Sequence, residues 1–199
     1  MSVSSSRPLL TTTGWAIGSY VAALGWQLGF HRGVEVSWRA LVLCLAGALY
    51  TNLFEHLWHR YAMHGRRPDA RHARHHRIFY GQGFQTSDPE ALREVTLAWY
   101  IFPLLLTVHY STFCVLFGAG LAPAFFLGIV LHFVTYEVTH WYTHVANNWF
   151  DRVVSRIPAL SKLRAMQIRH HRLHHAQPMV NFNFNPPYAG DRLAGVLRR

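Results

Sequence analysis

The sequence predicts an all-α integral membrane fold, with four transmembrane helices and a histidine-rich helical cap on the cytosolic side. Three observations carry the prediction. Hydrophobic residues make up 51% of the 199 positions and aromatics 15%, against only 14% charged, which is heavy in apolar side chains for a soluble domain of this length. Four apolar stretches, at about 10–30, 38–58, 97–117 and 121–142, are each about 20 residues long, enough to cross a hydrocarbon core of about 30 Å. Ten of the 15 histidines cluster at the ends of, and between, these stretches. By length the whole of 1–199 reads as one domain, its cap formed by 59–94 and 146–199.

Taken in order, the opening eight residues are serine-rich, and the run from Leu10 lacks a small-residue cleavage site, so it reads as a retained helix. The second and fourth stretches change character near their ends, where Asn52, Glu55 and His56, then Glu137 and His140, enter an apolar pattern. Ionisable groups at such depth are costly and usually functional. The connection 60–94 carries seven arginines, and 146–199 carries Arg152, Arg156, Lys162, Arg164 and more. The other connections hold Arg32 with Glu35, and no basic residue in 118–120. Positive-inside bias then places both termini and every histidine motif in the cytoplasm.

The stretch 148–166 mixes Trp149, Phe150, Val153, Ile157 and Leu160 with basic residues and is interrupted by Pro158, which suits two short helices in the membrane interface. NFNFNPPYAGDR, 181–192, has the Pro and Gly content of an ordered loop. Cys44 and Cys114 lie inside apolar runs, which argues against a disulfide framework or thiolate metal site. The net charge of +10, from 18 arginines and one lysine against nine acids, raises nucleic acid as a partner. The basic residues flank apolar stretches, however, as in membrane proteins, and nucleic acid is set aside.

The histidines form two matching sets. His59 and His64 (HRYAMH) precede His72, His75 and His76 (HARHH); His140 and His144 (HWYTH) precede His171, His174 and His175 (HRLHH). Positions three and four apart share a helix face, so each triplet can point its rings at one centre. His140 and His144 are one turn apart, whereas five residues turn an ideal helix about 140° past a full circle, which predicts a helix end or bulge between His59 and His64. Solvated histidines on a basic face would explain any one of these rings, but not the repeat of so specific a spacing.

Neutral imidazole suits iron, copper, nickel and zinc. Structural zinc is satisfied by about four ligands and catalytic zinc by about three, so ten histidines imply a pair of ions with about five imidazoles each. A redox-active di-iron pair activates dioxygen, and apolar helices beside it can hold a hydrocarbon; oxidation of a C–H bond is the implied reaction. Glu55 and Glu137 are candidates to orient rings or stabilise cationic charge, or simply to pair with arginine. Of the remaining histidines, His31 reads as solvated and His109 as a core residue. His132, two turns before His140, reads as lining a substrate path. His56 and His170 adjoin the motifs, and their sequence position leaves open whether they are ligands, ligand supports or neither.

The series H-x4-H, H-x2-HH, H-x3-H, H-x2-HH resembles the fatty acid hydroxylase and sterol desaturase superfamily of integral-membrane di-metal oxygenases, with the spacing of the fatty acid 2-hydroxylases. The likeness covers about 52–195. It implies a four-helix anchor under a cytosolic cap, two irons (with zinc able to replace them), dioxygen, a lipid substrate and a reduced electron carrier. The ten histidines above are the ligands it implies. The chain lacks a fused cytochrome b5 domain, so the resemblance implies a separate cytochrome b5- or ferredoxin-like donor. NFNFNPPYAGDRLAG is similar to the ending of sterol desaturases and HRLHHA to carotenoid hydroxylases, so lipid hydroxylase, desaturase and carotenoid hydroxylase all stand. From other classes, a histidine-rich metal transporter would place its ligands along a path within the membrane, and a structural protein binding anionic lipid would leave the matched sets unexplained.

Overall fold

The computed structural model describes residues 6–30, 33–117 and 119–198. His31, Arg32, Gly118 and the serine-rich first five residues, all read from sequence above, lie outside them. The described residues are helical without strands: α1 (Arg7–Phe30), α2 (Trp38–Leu57) continued by a π turn (Trp58–Met63), α3 (Ala70–Ile78), a 3-10 turn (Gly81–Phe84), α4 (Pro89–Leu92), α5 (Ile101–Phe117), α6 (Ala122–His144), α7 (Trp149–Val154), α8 (Pro158–Ala176) and α9 (Ala189–Leu193). The chain divides into two compact units, and α2 and α6 contribute residues to both.

One unit, Pro8–Thr51 with Leu97–Glu137, is an apolar bundle. Ala16, Phe102, Leu106, Phe125, Phe126 and Val130 form its core. α2 and α6 touch backbone to backbone: a Cβ on Gly47 would lie 2.0 Å from the Phe125 carbonyl oxygen, and one on Gly128 1.9 Å from that of Cys44, so only glycine fits at either position. Outside this core the bundle exposes Leu10, Trp15, Trp26, Leu41, Leu45 and Val115.

Two helical spans, Trp38–Met63 and Ala122–His144, are long and apolar enough to cross a membrane. The other two expected spans differ from them. α5 starts at Ile101, not Leu97, because the Leu97 N–H donates to Glu137 Oε1 (3.2 Å) and its carbonyl accepts from Thr12 Oγ1 (3.2 Å), which ties that residue outside the helix. Its 17 residues reach only about 25 Å. α1 is 24 residues long but is diluted by Thr11, Thr12, Thr13 and four glycines.

The other unit holds Asn52–Thr96 and Val138–Arg199. The irregularity expected between His59 and His64 is the π turn, in which the His64 N–H donates to the His59 carbonyl (3.1 Å) five residues back. Asp69 caps α3 by accepting from the His72 N–H, and Asn148 caps α7 by accepting from Asp151 N–H. The last carbonyl of α6 is satisfied by a bridge: Thr86 N–H donates to the His144 carbonyl (2.8 Å) and Ala146 N–H to the Thr86 carbonyl (3.0 Å). Pro158 does separate two helices, but as the first turn of α8, where its missing N–H costs nothing; α8 then runs 19 residues to Ala176 rather than ending early. The expected loop over 181–192 is one as far as Tyr188, after which α9 forms.

Candidate metal centre

Four elements deliver the ten rings: the π turn and the residue after it His59 and His64, α3 His72, His75 and His76, the end of α6 His140 and His144, and the end of α8 His171, His174 and His175. Nine of them fall into two groups whose ring nitrogens lie within 4.8 Å of one another: His59, His64, His72, His76 and His174, and His75, His144, His171 and His175. His140 joins the second, its Nε2 3.1 Å from that of His171. Five and five is the count expected, but the triplets do not each point at one centre. At about 100° per residue, positions i and i+4 differ by about 40° around the helix, while the residue just before i+4 points about 100° away. His72 and His76 therefore serve the first group while His75 crosses to the second; His171 and His175 serve the second while His174 crosses to the first.

The nitrogens converge more closely than hydrogen bonding explains. His72 Nε2 lies 3.0 Å from that of His59, 2.9 Å from His64 and 3.1 Å from His76. His171 Nε2 lies 3.1 Å from His140, 3.0 Å from His144 and 3.0 Å from His175. A neutral imidazole has one N–H, so neither hub can bond three partners. Three of the surrounding rings have already used theirs: His59 Nδ1 donates to the Phe182 carbonyl (2.5 Å), His174 Nδ1 to that of Val180 (2.8 Å) and His144 Nδ1 to that of Phe84 (2.9 Å). Their Nε2 atoms are then bare lone pairs, those of His59 and His174 within the first group and that of His144 within the second, in the tautomer a metal requires.

Protonation does not interfere. Burial holds His64 down to about 4, and burial followed by neighbouring imidazoles holds His76 down to about 2. Burial and crowding depress His72, His75, His171, His174 and His175 as well, so at pH 7 these rings are neutral, the form in which a metal could take them. The donor set fits metal: with metal–nitrogen bonds of about 2.1 Å, adjacent ligands stand about 3.0 Å apart at right angles and about 3.4 Å apart in a tetrahedron. The observed 2.9–3.2 Å between ring nitrogens matches the former, as five donors about one ion require. The groups differ in access, since His64, His72 and His76 are half-buried whereas all four rings grouped with His75 are buried.

The loop after α8 fixes these rings, a role that sequence reading missed. Its alternation N-F-N-F-N separates two jobs, phenyl packing and backbone bonding. Phe182 packs edge-on against His59 and Phe184 against His140 and His171. The asparagines bond backbone: Asn183 Nδ2 donates to the Asn52 carbonyl (2.5 Å), and Asn52 Nδ2 in turn to that of Asn185 (2.8 Å). Beneath the loop sits Asp191, fully buried. Its Oδ1 accepts from His56 Nδ1 (2.8 Å) and Phe182 N–H (2.9 Å), its Oδ2 accepts from Asn183 N–H (2.9 Å), and His170 Nε2 lies 3.3 Å from that oxygen. His56 and His170, the two histidines beside the motifs, thus support the loop. α9 can approach His56 only because Gly190 has no side chain: a Cβ there would lie 2.2 Å from His56 Cβ.

Glu55 accepts from the Phe184 N–H and so also acts on the loop; the contact described for Glu137 is with Leu97 N–H. Arg164 steadies α6 beside His140 and His144, donating to the Thr139 carbonyl (2.9 Å) and Thr143 Oγ1 (2.8 Å) while paired to Asp151 (2.7 Å). His109 donates to the Leu105 carbonyl (2.7 Å) within α5, and His132 is half-buried on α6.

Comparison of the chain with protein-family models, with curated proteins and with solved structures gives no match.

Proposed function

We propose that the chain is a membrane di-iron oxygenase of the fatty acid hydroxylase and sterol desaturase type, hydroxylating a C–H bond of a fatty acyl or related lipid. The observation that carries this reading is the pair of neighbouring imidazole groups, five rings in one and four joined by His140 in the other, with neutral, converging nitrogens. All-nitrogen sets of five suit a redox metal that keeps a position open, where a structural zinc is complete with about four. Two irons bound there supply dioxygen activation, using two electrons from a separate cytochrome b5- or ferredoxin-like donor and two protons.

The chain's own residues do the rest. Phe182, Val180 and Phe84 carbonyls hold three rings in the ligating tautomer. Asp191 and Glu55 hold the loop that carries two of these carbonyls and the two phenyl rings against the ligands. Phe79, Phe84, Phe182 and Phe184, all buried beside the histidines, keep water from them. In this reading α1 and α5 join the two apolar spans in a four-helix anchor whose exposed leucines and tryptophans meet lipid. The arginine-rich segments, and with them both termini and the metal site, lie in the cytoplasm. A desaturase or carotenoid hydroxylase would use the same ten ligands.

Mass spectrometry of lipids from cells expressing the chain or its His72→Ala variant tests the proposal. A product gaining one oxygen, absent with the variant, is expected; loss of two hydrogens would assign a desaturase. An unchanged lipid profile, with iron bound, would overturn the oxygenase reading.

A further inference from the structure

α8, α9 and the segment that follows line a partly open pocket of about 190 Å³ that none of the ten rings lines. Three guanidiniums, Arg169, Arg192 and Arg198, stand around an apolar base that includes Leu173, and no Asp or Glu is among its described lining residues. None of the three arginines forms an ion pair among the described residues.

The pocket is built rather than incidental. Asn181, buried, staples the terminal segment to α8: its Oδ1 accepts from Arg198 N–H (2.7 Å), and its Nδ2 donates to the carbonyls of Arg198 (3.2 Å) and His170 (3.3 Å). Arg192 is anchored through Nε, which donates to the Pro187 carbonyl (2.8 Å), leaving both terminal nitrogens available. The Arg169 guanidinium has no hydrogen bond or ion pair among the described residues. Tyr188, only 3% exposed and stacked on His170 at 4.1 Å, completes the wall with a hydroxyl that is buried and without a hydrogen-bond partner among the described residues.

We propose that this pocket binds a phosphate group, carried either by a lipid headgroup or by a soluble phosphate ester. Three uncompensated guanidiniums exceed what one carboxylate can neutralise. A phosphate monoester brings a charge of about −1.5 to −2 and three acceptor oxygens, and arginine's planar fork binds such oxygens in pairs. A pocket of about 190 Å³ has room for a phosphate and a few carbons against Leu173 and Met166.

The test is calorimetric titration of the full metal-loaded chain in uncharged detergent with inorganic phosphate, with dioctanoyl phosphatidic acid and with an oligoglutamate peptide. Saturable binding of phosphatidic acid is expected, about tenfold weaker in Arg169→Gln and weaker again in Arg169→Gln with Arg198→Gln, each with unchanged metal content and melting temperature. Arg67→Gln, an exposed arginine elsewhere, should bind as the parent does. Inorganic phosphate binding as tightly as phosphatidic acid would assign the soluble ester, and binding of phosphatidic acid alone the lipid. Absence of binding by both, binding of oligoglutamate alone, or equal affinity in the double variant would overturn the proposal.

Discussion

Replacing Asp191 with Asn removes the charge on which the loop over the first histidine group is hung. Burial pushes this carboxyl up, but His170 beside it, the Asn183 N–H and His56 together outweigh burial and hold it below its usual value, so it is ionised at pH 7. Its two oxygens receive His56 Nδ1 (2.8 Å) and Phe182 N–H (2.9 Å) on one side, and Asn183 N–H (2.9 Å) on the other, with His170 Nε2 at 3.3 Å. An amide keeps one oxygen and turns an NH2 toward donors, so two charge-assisted contacts are lost at about 1.5–3 kcal/mol each, or about 3–6 kcal/mol in all. The Phe182 carbonyl holds His59 Nδ1, so the first group also loses ring orientation, which lowers metal affinity by about 10–100-fold. Competition against a graded series of chelators, read with thermal unfolding, measures both effects. One ion should leave Asp191→Asn at chelator strengths that leave the parent with two, while the group around His75 and His144 retains its ion. Parental affinity at both sites, or release from the second group first, would refute this account of Asp191.

Two further outcomes follow from the same geometry. His64 stays neutral in the folded chain down to about pH 4, whereas an unfolded imidazole takes up its proton near about 6.5; the unfolded chain therefore binds more protons in this window, and stability and metal retention both fall as pH drops from about 6.5 toward 4. Unfolding midpoints of metal-free protein that were equal at pH 7.5 and 5 would contradict that burial. Because the triplets split, His174→Ala should weaken the more accessible group, shared with His64, and His75→Ala the buried one; metal-resolved spectroscopy showing the reverse would restore one triplet to each centre.

The sequence spoke most clearly where one spacing permits one physical solution. His59 and His64, five positions apart, cannot share a face of an α-helix, and the chain answers with a π turn. Ten imidazoles cannot crowd one ion, and they gather as two fives. The exchange of His75 and His174 follows from the same helical angle, but it also needs α3 and α8 to lie beside both groups, a tertiary fact that periodicity does not contain. Apolar length misled in a different way. The stretch at 97–117 is apolar from its first residue in sequence, yet Leu97 is claimed by Thr12 and Glu137 across 85 and 40 residues, and no local pattern foretells that.

Asp191 shows why the support of the site was harder to read than its ligands. Ligands announce themselves by number, because no core needs ten histidines. A single aspartate in a Pro- and Gly-rich tail reads as surface, and its function exists only once Asn52 and His56, more than 130 residues earlier, have met the loop. The available signal was the alternation N-F-N-F-N, since a solvated loop has no reason to repeat phenylalanine, and a buried one must pair every polar group between. If the ten rings hold metal as proposed, their number and donor type set which metal fits. The loop, through two backbone carbonyls and one buried carboxylate, sets whether their nitrogens are free to bind it.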